Sequence, residues 1–311
     1  MNALYVNRKL SEGHPELTRR SLTSFSALLE QNDLGHDEAG IVRQLRYLSR
    51  LVVRDLRDVV VVGCGPRPHM LKVLLDRGYN ALGIEPMTSF VQAADGYLGT
   101  SGKVLCGTAE HMPLADASQD LVYCNSVLEH VDSPLQSLAE MQRVLRPGGI
   151  AFVITTNRYR VSLRGDNGEY SVPFFNWLPE VVKESFVFHH LHYRPALASY
   201  SERPAVHWYS FSDLCRLGRD AGFFQFYSTL DLVSPDDPTV APSPLKRLIL
   251  PRMQQNPWLR ALALWGTAFG GMIIMLKGRV GDAVPTETNG HANADGHRKN
   301  GSGRDGLTAM D

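Results

Sequence analysis

Apolar positions along the 311-residue chain change their period twice. Between residues 15 and 56 they recur at helical spacing, first Leu17, Leu22, Phe25, Leu28 and Leu29, then Ile41, Leu45, Leu48 and Leu51. This predicts helices covering one edge or the mouth of whatever follows. From Asp58 short apolar runs at 58–62, 80–85, 103–106, 120–124 and 150–155 alternate with helical stretches. Strand and helix in alternation predict a parallel, doubly wound sheet. The run Val59 to Val62 is apolar at every position, as a strand buried on both faces requires. LRPGG, residues 145–149, predicts a tight turn into the fifth strand, because proline fixes φ and paired glycines accept positive φ.

The regularity stops after that strand. Residues 157–208 are rich in aromatics, histidines and arginines and read as an insertion over the carboxyl edge of the sheet, where open α/β sheets bind ligands. Ser210 with Asp213 forms a capping box that opens a helix ending near Gly218 to Gly222. A strand over 223–232, a proline-rich loop over 233–256, an amphipathic helix over 258–268 and a last strand over 271–277 complete the expected order. The tail from Gly281 holds almost no bulky apolar residue and is expected to be disordered. The expected division is therefore a helical cover over 1–56, a main domain over 57–280 with the insertion at 157–208, and a tail over 281–311.

Charge narrows the partners. Lys plus Arg and Asp plus Glu both number 32, so net charge recruits neither nucleic acid nor an anionic surface. Cys64, Cys106, Cys124 and Cys215 contain no CxxC pair and read as buried free thiols of a reducing compartment. The first residues lack the apolar core of a secretory signal, and the uncharged stretch 261–276 is too short to span a bilayer, so the expected location is the cytoplasm.

Candidate chemistry begins where the first strand ends, in VVVVGCGPRP at 59–68. Glycines there allow a tight turn and close backbone approach to a ligand, and Glu85, twenty positions after Gly65, can bind ribose hydroxyls. Pro68 occupies the place of the third glycine of a dinucleotide fingerprint, which argues against NAD or FAD, and the lysine of a phosphate loop is absent. Three further motifs follow in order: GIEP with Glu85, GTAEHMPLADASQDLVYCNSVLEHV over 107–131, and EMQRVLRPGGIAFVIT over 140–155. Together the four motifs, over roughly residues 55–157, resemble the class I S-adenosylmethionine-dependent methyltransferases, in particular the type 11-like group.

That resemblance implies a doubly wound, mostly parallel, seven-stranded Rossmann-like sheet with the insertion before strand six. It implies S-adenosyl-L-methionine as cofactor. Backbone around Gly63, Cys64 and Gly65 would hold the methionine part, Glu85 the ribose, and Pro86, Met87, Ala109 and Glu110 the adenine, with Asn125 near the sulfonium. The sequence departs from the pattern at Arg67, in place of a third glycine, and at Thr108, in place of a frequent acidic residue for which Glu110 would substitute. Those departures motivate the alternative of a non-catalytic S-adenosyl-nucleoside-binding or structural protein.

His130 is the candidate general base for an oxygen acceptor, since histidine titrates near neutrality; the alternatives are that it orients substrate or packs in a helix, with Glu129 solvated beside it. His189, His190 and His192 lack accompanying cysteine or carboxylate ligands, so pocket lining is favoured over metal binding. His207, Trp208, Tyr209 and Tyr170 either line an acceptor pocket or form the insertion's core. The expected acceptor is a small molecule, a glycan or a lipid precursor, with no nucleic acid. Lys246, Arg247, Arg252 and Arg260, mixed with large apolar residues over 245–265, admit peripheral membrane contact beside the ordinary reading of a packed helix.

Overall fold

The computed structural model describes residues 38–52, 55–160, 172–187, 205–238 and 240–278. The main elements in chain order are α1 (Glu38–Ser49), β1 (Asp58–Val62), α2 (His69–Asp76), β2 (Asn80–Glu85), α3 (Thr88–Leu98), β3 (Val104–Cys106), β4 (Gln119–Asn125), α4 (Pro134–Val144) and β5 (Leu145–Ile154). They are followed by α5 (Glu180–Phe186), α6 (Phe211–Asp220), β6 (Phe223–Ser228), α7 (Thr229–Leu232), α8 (Pro244–Gln255), α9 (Pro257–Gly266) and β7 (Met272–Lys277). The expected helix before residue 38, the segment 189–192, Tyr170 and the tail from 281 lie outside the described residues.

Seven strands form one sheet in the order β3-β2-β1-β4-β5-β7-β6. β1 to β5 pair in parallel and β7 runs antiparallel between β5 and β6. Successive residues of a strand face opposite sides, so β1 feeds two apolar layers. Val60 and Val62 join Val122, Cys124, Ala151 and Val153 under Leu138 and Met141 of α4 and Leu214 of α6. Val59 and Val61 join Tyr123, Phe152 and Ile274 under α2, α3 and the Ile41, Leu45 and Leu48 face of α1.

At the amino end, Asp120 ties neighbouring strands together. One carboxylate oxygen accepts the amides of Arg57 and Asp58 at 3.1 and 3.0 Å, and Arg146 donates to Asp58 and Asp120 at 2.7 and 3.0 Å. The expected turn at 145–149 is an excursion within β5: Leu145 pairs with Gln119 and Ile150 with Leu121, so 146–149 loop out with Gly148 at φ 78.

Two element assignments differ from the sequence reading. The strand expected over 223–232 ends at Ser228, because Ser228 and Asp231 form a second capping box and start α7. The loop expected over 233–256 contains α8. Ser243 accepts from the amide of Lys246 and Pro244 sits at the first helical position, so proline starts this helix rather than prevents it. Cys106 is exposed at the end of β3, where the chain leaves the sheet, whereas Cys124 is buried and Cys64 and Cys215 are partly so.

Candidate active site

The strand order reverses between β1 and β4, the position where open α/β sheets bind ligands at their carboxyl ends. Val62 pairs with Cys124 there, so Gly63 and Asn125 leave the sheet side by side. Gly63 and Gly65 both have positive φ, 65 and 68, and the amides of Gly63 and Cys64 return to the carbonyl of Ile84 at 2.8 and 3.2 Å. The first loop is thereby folded across the end of β2. A Cβ on Gly63 would stand 2.4 Å from Cγ2 of Val127, whereas a Cβ on Gly65 would meet nothing within 4 Å. The two glycines serve different purposes: the first admits a neighbouring side chain, the second leaves open space.

Glu85 closes this loop from the other side. One carboxylate oxygen accepts the Gly65 amide at 3.0 Å and the other accepts the Met87 amide at 3.3 Å. Burial raises the carboxyl above the usual glutamate range, and the Gly65 and Met87 amides act against that rise. Each carboxylate oxygen can accept more than one hydrogen bond, so capacity remains for a diol. Burial and the Glu85 charge push the Cys64 thiol up to about 12, so it stays neutral. The residues therefore fit a nucleoside: a carboxylate bonded to a glycine-containing loop with open space over Gly65.

Arg67 is exposed, while Pro68 is buried and precedes α2. Met87 is the cap residue of α3, and Pro86 beside it is exposed. Ala109 is buried in the Thr108–His111 turn, which the Thr108 hydroxyl helps to close by accepting the His111 amide at 3.2 Å. Glu110 accepts the Asp132 amide at 2.9 Å and the Ser133 amide at 3.4 Å, tying this turn to the segment leaving β4. Asn125 is exposed at the edge, and Ser126 after it has φ 52, an uncommon value for a non-glycine residue.

His130 is largely buried and lies on a turn rather than in a helix, its amide bonded to the Val127 carbonyl at 2.9 Å. Glu129 is not solvated: it is fully buried, and Oε1 accepts the Thr156 amide at 2.7 Å. Its position between β4 and β5 outweighs the polar character that suggested exposure, because it satisfies backbone at the end of β5.

Residues 205–209 cross over this turn. The amides of Val206 and His207 donate to the Glu129 carbonyl, His207 Nε2 lies 3.0 Å from the Val131 carbonyl and the Tyr209 hydroxyl donates to the Leu128 carbonyl at 3.0 Å. Burial lowers the His207 pKa, with the Val131 carbonyl opposing and the charge of His130 adding to the shift. Burial, then the Glu129 charge, raises the Tyr209 hydroxyl well above its usual value. Trp208 turns away and packs with Phe175, Val187 and Ala205, with Lys183 Nζ 4.3 Å from its ring centre, so it belongs to a small core.

Sequence reading missed Val127, Ser126 and Asn157. Asn157 is buried after β5 and its side-chain amide donates to the carbonyls of Leu264, Trp265 and Thr267 at 3.0, 2.9 and 2.6 Å, closing the end of α9. Nothing local in the sequence marks a contact across more than a hundred residues.

Residues 60–153 match the methyltransferase domain family. Over that segment the chain is similar to a methyltransferase domain. The matched family implies S-adenosylmethionine as the cofactor. An uncharacterized methyltransferase of Mycobacterium ulcerans is 34% identical over 124 residues, 40% of this chain and 48% of that protein. A second, from Mycobacterium avium, is 36% identical over 101 residues, 32% of this chain and 40% of its own length. The chain thus spans about half the length or less of these curated relatives. A SAM dependent methyltransferase from Archaeoglobus fulgidus is similar over 81% of this chain and 99% of that one, at 16% identity and a TM-score of 0.45. Among the described residues no helix is long and apolar enough to cross a membrane.

Proposed function

We propose that this protein is an S-adenosylmethionine-dependent methyltransferase that moves a methyl group to an oxygen of a small-molecule, glycan or lipid-precursor acceptor. The observation that carries the reading is the pairing of Gly65 with Glu85 at the switch point of the sheet, with open space over the Gly65 α-carbon. When bound, the cofactor supplies an electrophilic methyl group on a sulfonium whose leaving group is a neutral thioether. Glu85 accepts hydrogen bonds from the ribose hydroxyls, and the loop at Gly63, Cys64 and Gly65 takes the methionine part. Pro86, Met87, Ala109 and Glu110 flank the adenine, Glu110 also tying down the turn that bears Ala109, and Asn125 stands near the sulfonium.

His130 takes the proton of the acceptor hydroxyl. The strap at 205–209 fixes the turn that bears it, which supports His130 as a group held in position against an acceptor. Such alignment can supply several kcal/mol, about 7 or more in favourable intramolecular cases. Calorimetry with S-adenosylmethionine and S-adenosylhomocysteine tests the cofactor reading: binding is expected, it is lost in Glu85→Ala, and a folded protein that binds neither ligand refutes it. Transfer of a labelled methyl group to a panel of hydroxyl acceptors separates an enzyme from a protein that only binds the nucleoside. Once an acceptor is found, His130→Ala is expected to lower kcat about a hundredfold or more.

A further inference from the structure

α8 and α9 form a helical hairpin whose inner side is buried: Leu250 and Ala263 pack with Leu230 and Val240. Its outer side is large and apolar. Trp258 is 84% exposed and Leu262 61%, and Leu245, Leu248 and Ile249 stand out from α8. Trp258, Leu262 and Trp265 are spaced by four and three, so they line one face of α9. The patch continues beyond the hairpin. Trp265 stacks on Tyr159 at 5.9 Å and lies 5.8 Å from Trp177, which meets Phe174 edge-on at 6.3 Å. All four rings are exposed. A contiguous apolar surface of this kind marks an interaction site.

Charge on the same stretch decides the partner. No Asp or Glu occurs between Asp237 and Asp282, while Lys246, Arg247 and Arg252 are exposed on α8. Arg260 does not belong to this set, because its guanidinium pairs with both oxygens of Asp231 at 2.8 and 2.9 Å. A second copy docked symmetrically through the hairpin would place these cations against their own kind with no carboxylate of the hairpin to offset them. An anionic lipid surface complements the cations and takes tryptophan and leucine at the headgroup boundary.

We infer that the α8–α9 hairpin, continued by Tyr159, Phe174 and Trp177, is a docking surface for an anionic lipid bilayer. Tyr159 lies five residues beyond Ile154, which pairs with Asn125 at the edge of the candidate site. The docked face therefore borders the acceptor side, and an acceptor with an apolar chain reaches the site along it.

Cosedimentation of the full chain with vesicles tests the inference, using phosphatidylcholine alone and phosphatidylcholine with phosphatidylglycerol. Binding to the anionic vesicles, weakening with salt, is expected. Trp258→Ala with Leu262→Ala is expected to reduce it by at least about tenfold, and Arg247→Ala by about fivefold. These side chains are exposed, so the variants should match the parent in unfolding and in S-adenosylhomocysteine affinity; that affinity reports on the cofactor site separately from the docking surface. A folded protein that ignores anionic vesicles, or a tryptophan–leucine variant that binds them undiminished, overturns the inference. So does concentration-dependent dimerisation abolished by the same variant without vesicle binding.

Discussion

Gly63 and Gly65 have nearly the same backbone angle, φ 65 and 68, but different surroundings, and alanine at each separates conformational strain from contact. Left-handed backbone costs a non-glycine residue about 1–2 kcal/mol. Gly65→Ala incurs that cost alone, since its Cβ meets nothing within 4 Å. Gly63→Ala adds a Cβ 2.4 Å from Cγ2 of Val127. Val127 is β-branched and stiff at χ1, so overpacking adds about 1–3 kcal/mol. Urea unfolding should therefore rank parent, then Gly65→Ala, then Gly63→Ala, and Val127→Ala in the Gly63→Ala background should recover the contact part but not the backbone part. Calorimetry should show the reverse emphasis: Gly65→Ala loses S-adenosylhomocysteine affinity out of proportion to its small loss of stability, because its methyl group occupies the open space of the loop. Equal stability of the two variants would refute the role of Val127. Parental affinity in Gly65→Ala would refute the placement of the cofactor.

Three further outcomes follow from other contacts. Burial raises the Glu85 carboxyl, so protonation begins above the usual glutamate range as pH falls; S-adenosylhomocysteine affinity should decline on acidification, while Glu85→Gln should bind about tenfold more weakly with a flat pH dependence, and a matching slope would sink the assignment. For Asp120, burial alone would raise the carboxyl, but the amides of Asp58 and Arg57 and the Arg146 guanidinium hold it below its usual value. Its contribution is thus present above the ordinary carboxylate range and lost as pH falls through the folded value; Asp120→Asn should cost about 2 kcal/mol at neutral pH and show a shallower acid limb by denaturant titration. Asn157→Ala should cost about 2–3 kcal/mol by leaving the carbonyls of Leu264, Trp265 and Thr267 without their donor, and a loss under about 0.5 kcal/mol would show that another group satisfies them.

Local pattern carried the sheet and the candidate cofactor loop. Four consecutive valines can be buried on both faces only in a central strand, and the spacing from Gly65 to Glu85 follows from one strand–helix–strand unit, so β1, its loop and Glu85 were legible without coordinates. The capping box at Ser210 was equally local. The same local reasoning misjudged 233–256, where proline marks a helix start, and 223–232, where a second cap cuts the strand short.

Tertiary structure decided the rest. Glu129 is polar and follows a strand, which alone suggests solvent; only the approach of β5 gives it the Thr156 amide and buries it. Val127 matters because β1 and β4 are neighbours, and Arg260 does not join the exposed cations of α8 because Asp231 comes within reach. The sequence by itself determined which strand, loop and carboxylate meet at the candidate cofactor site, because those features have short periods and short spacings. Which side chains close the acceptor side, and which apolar faces stay uncovered, depended on segments far apart in the chain that meet only once the sheet is assembled.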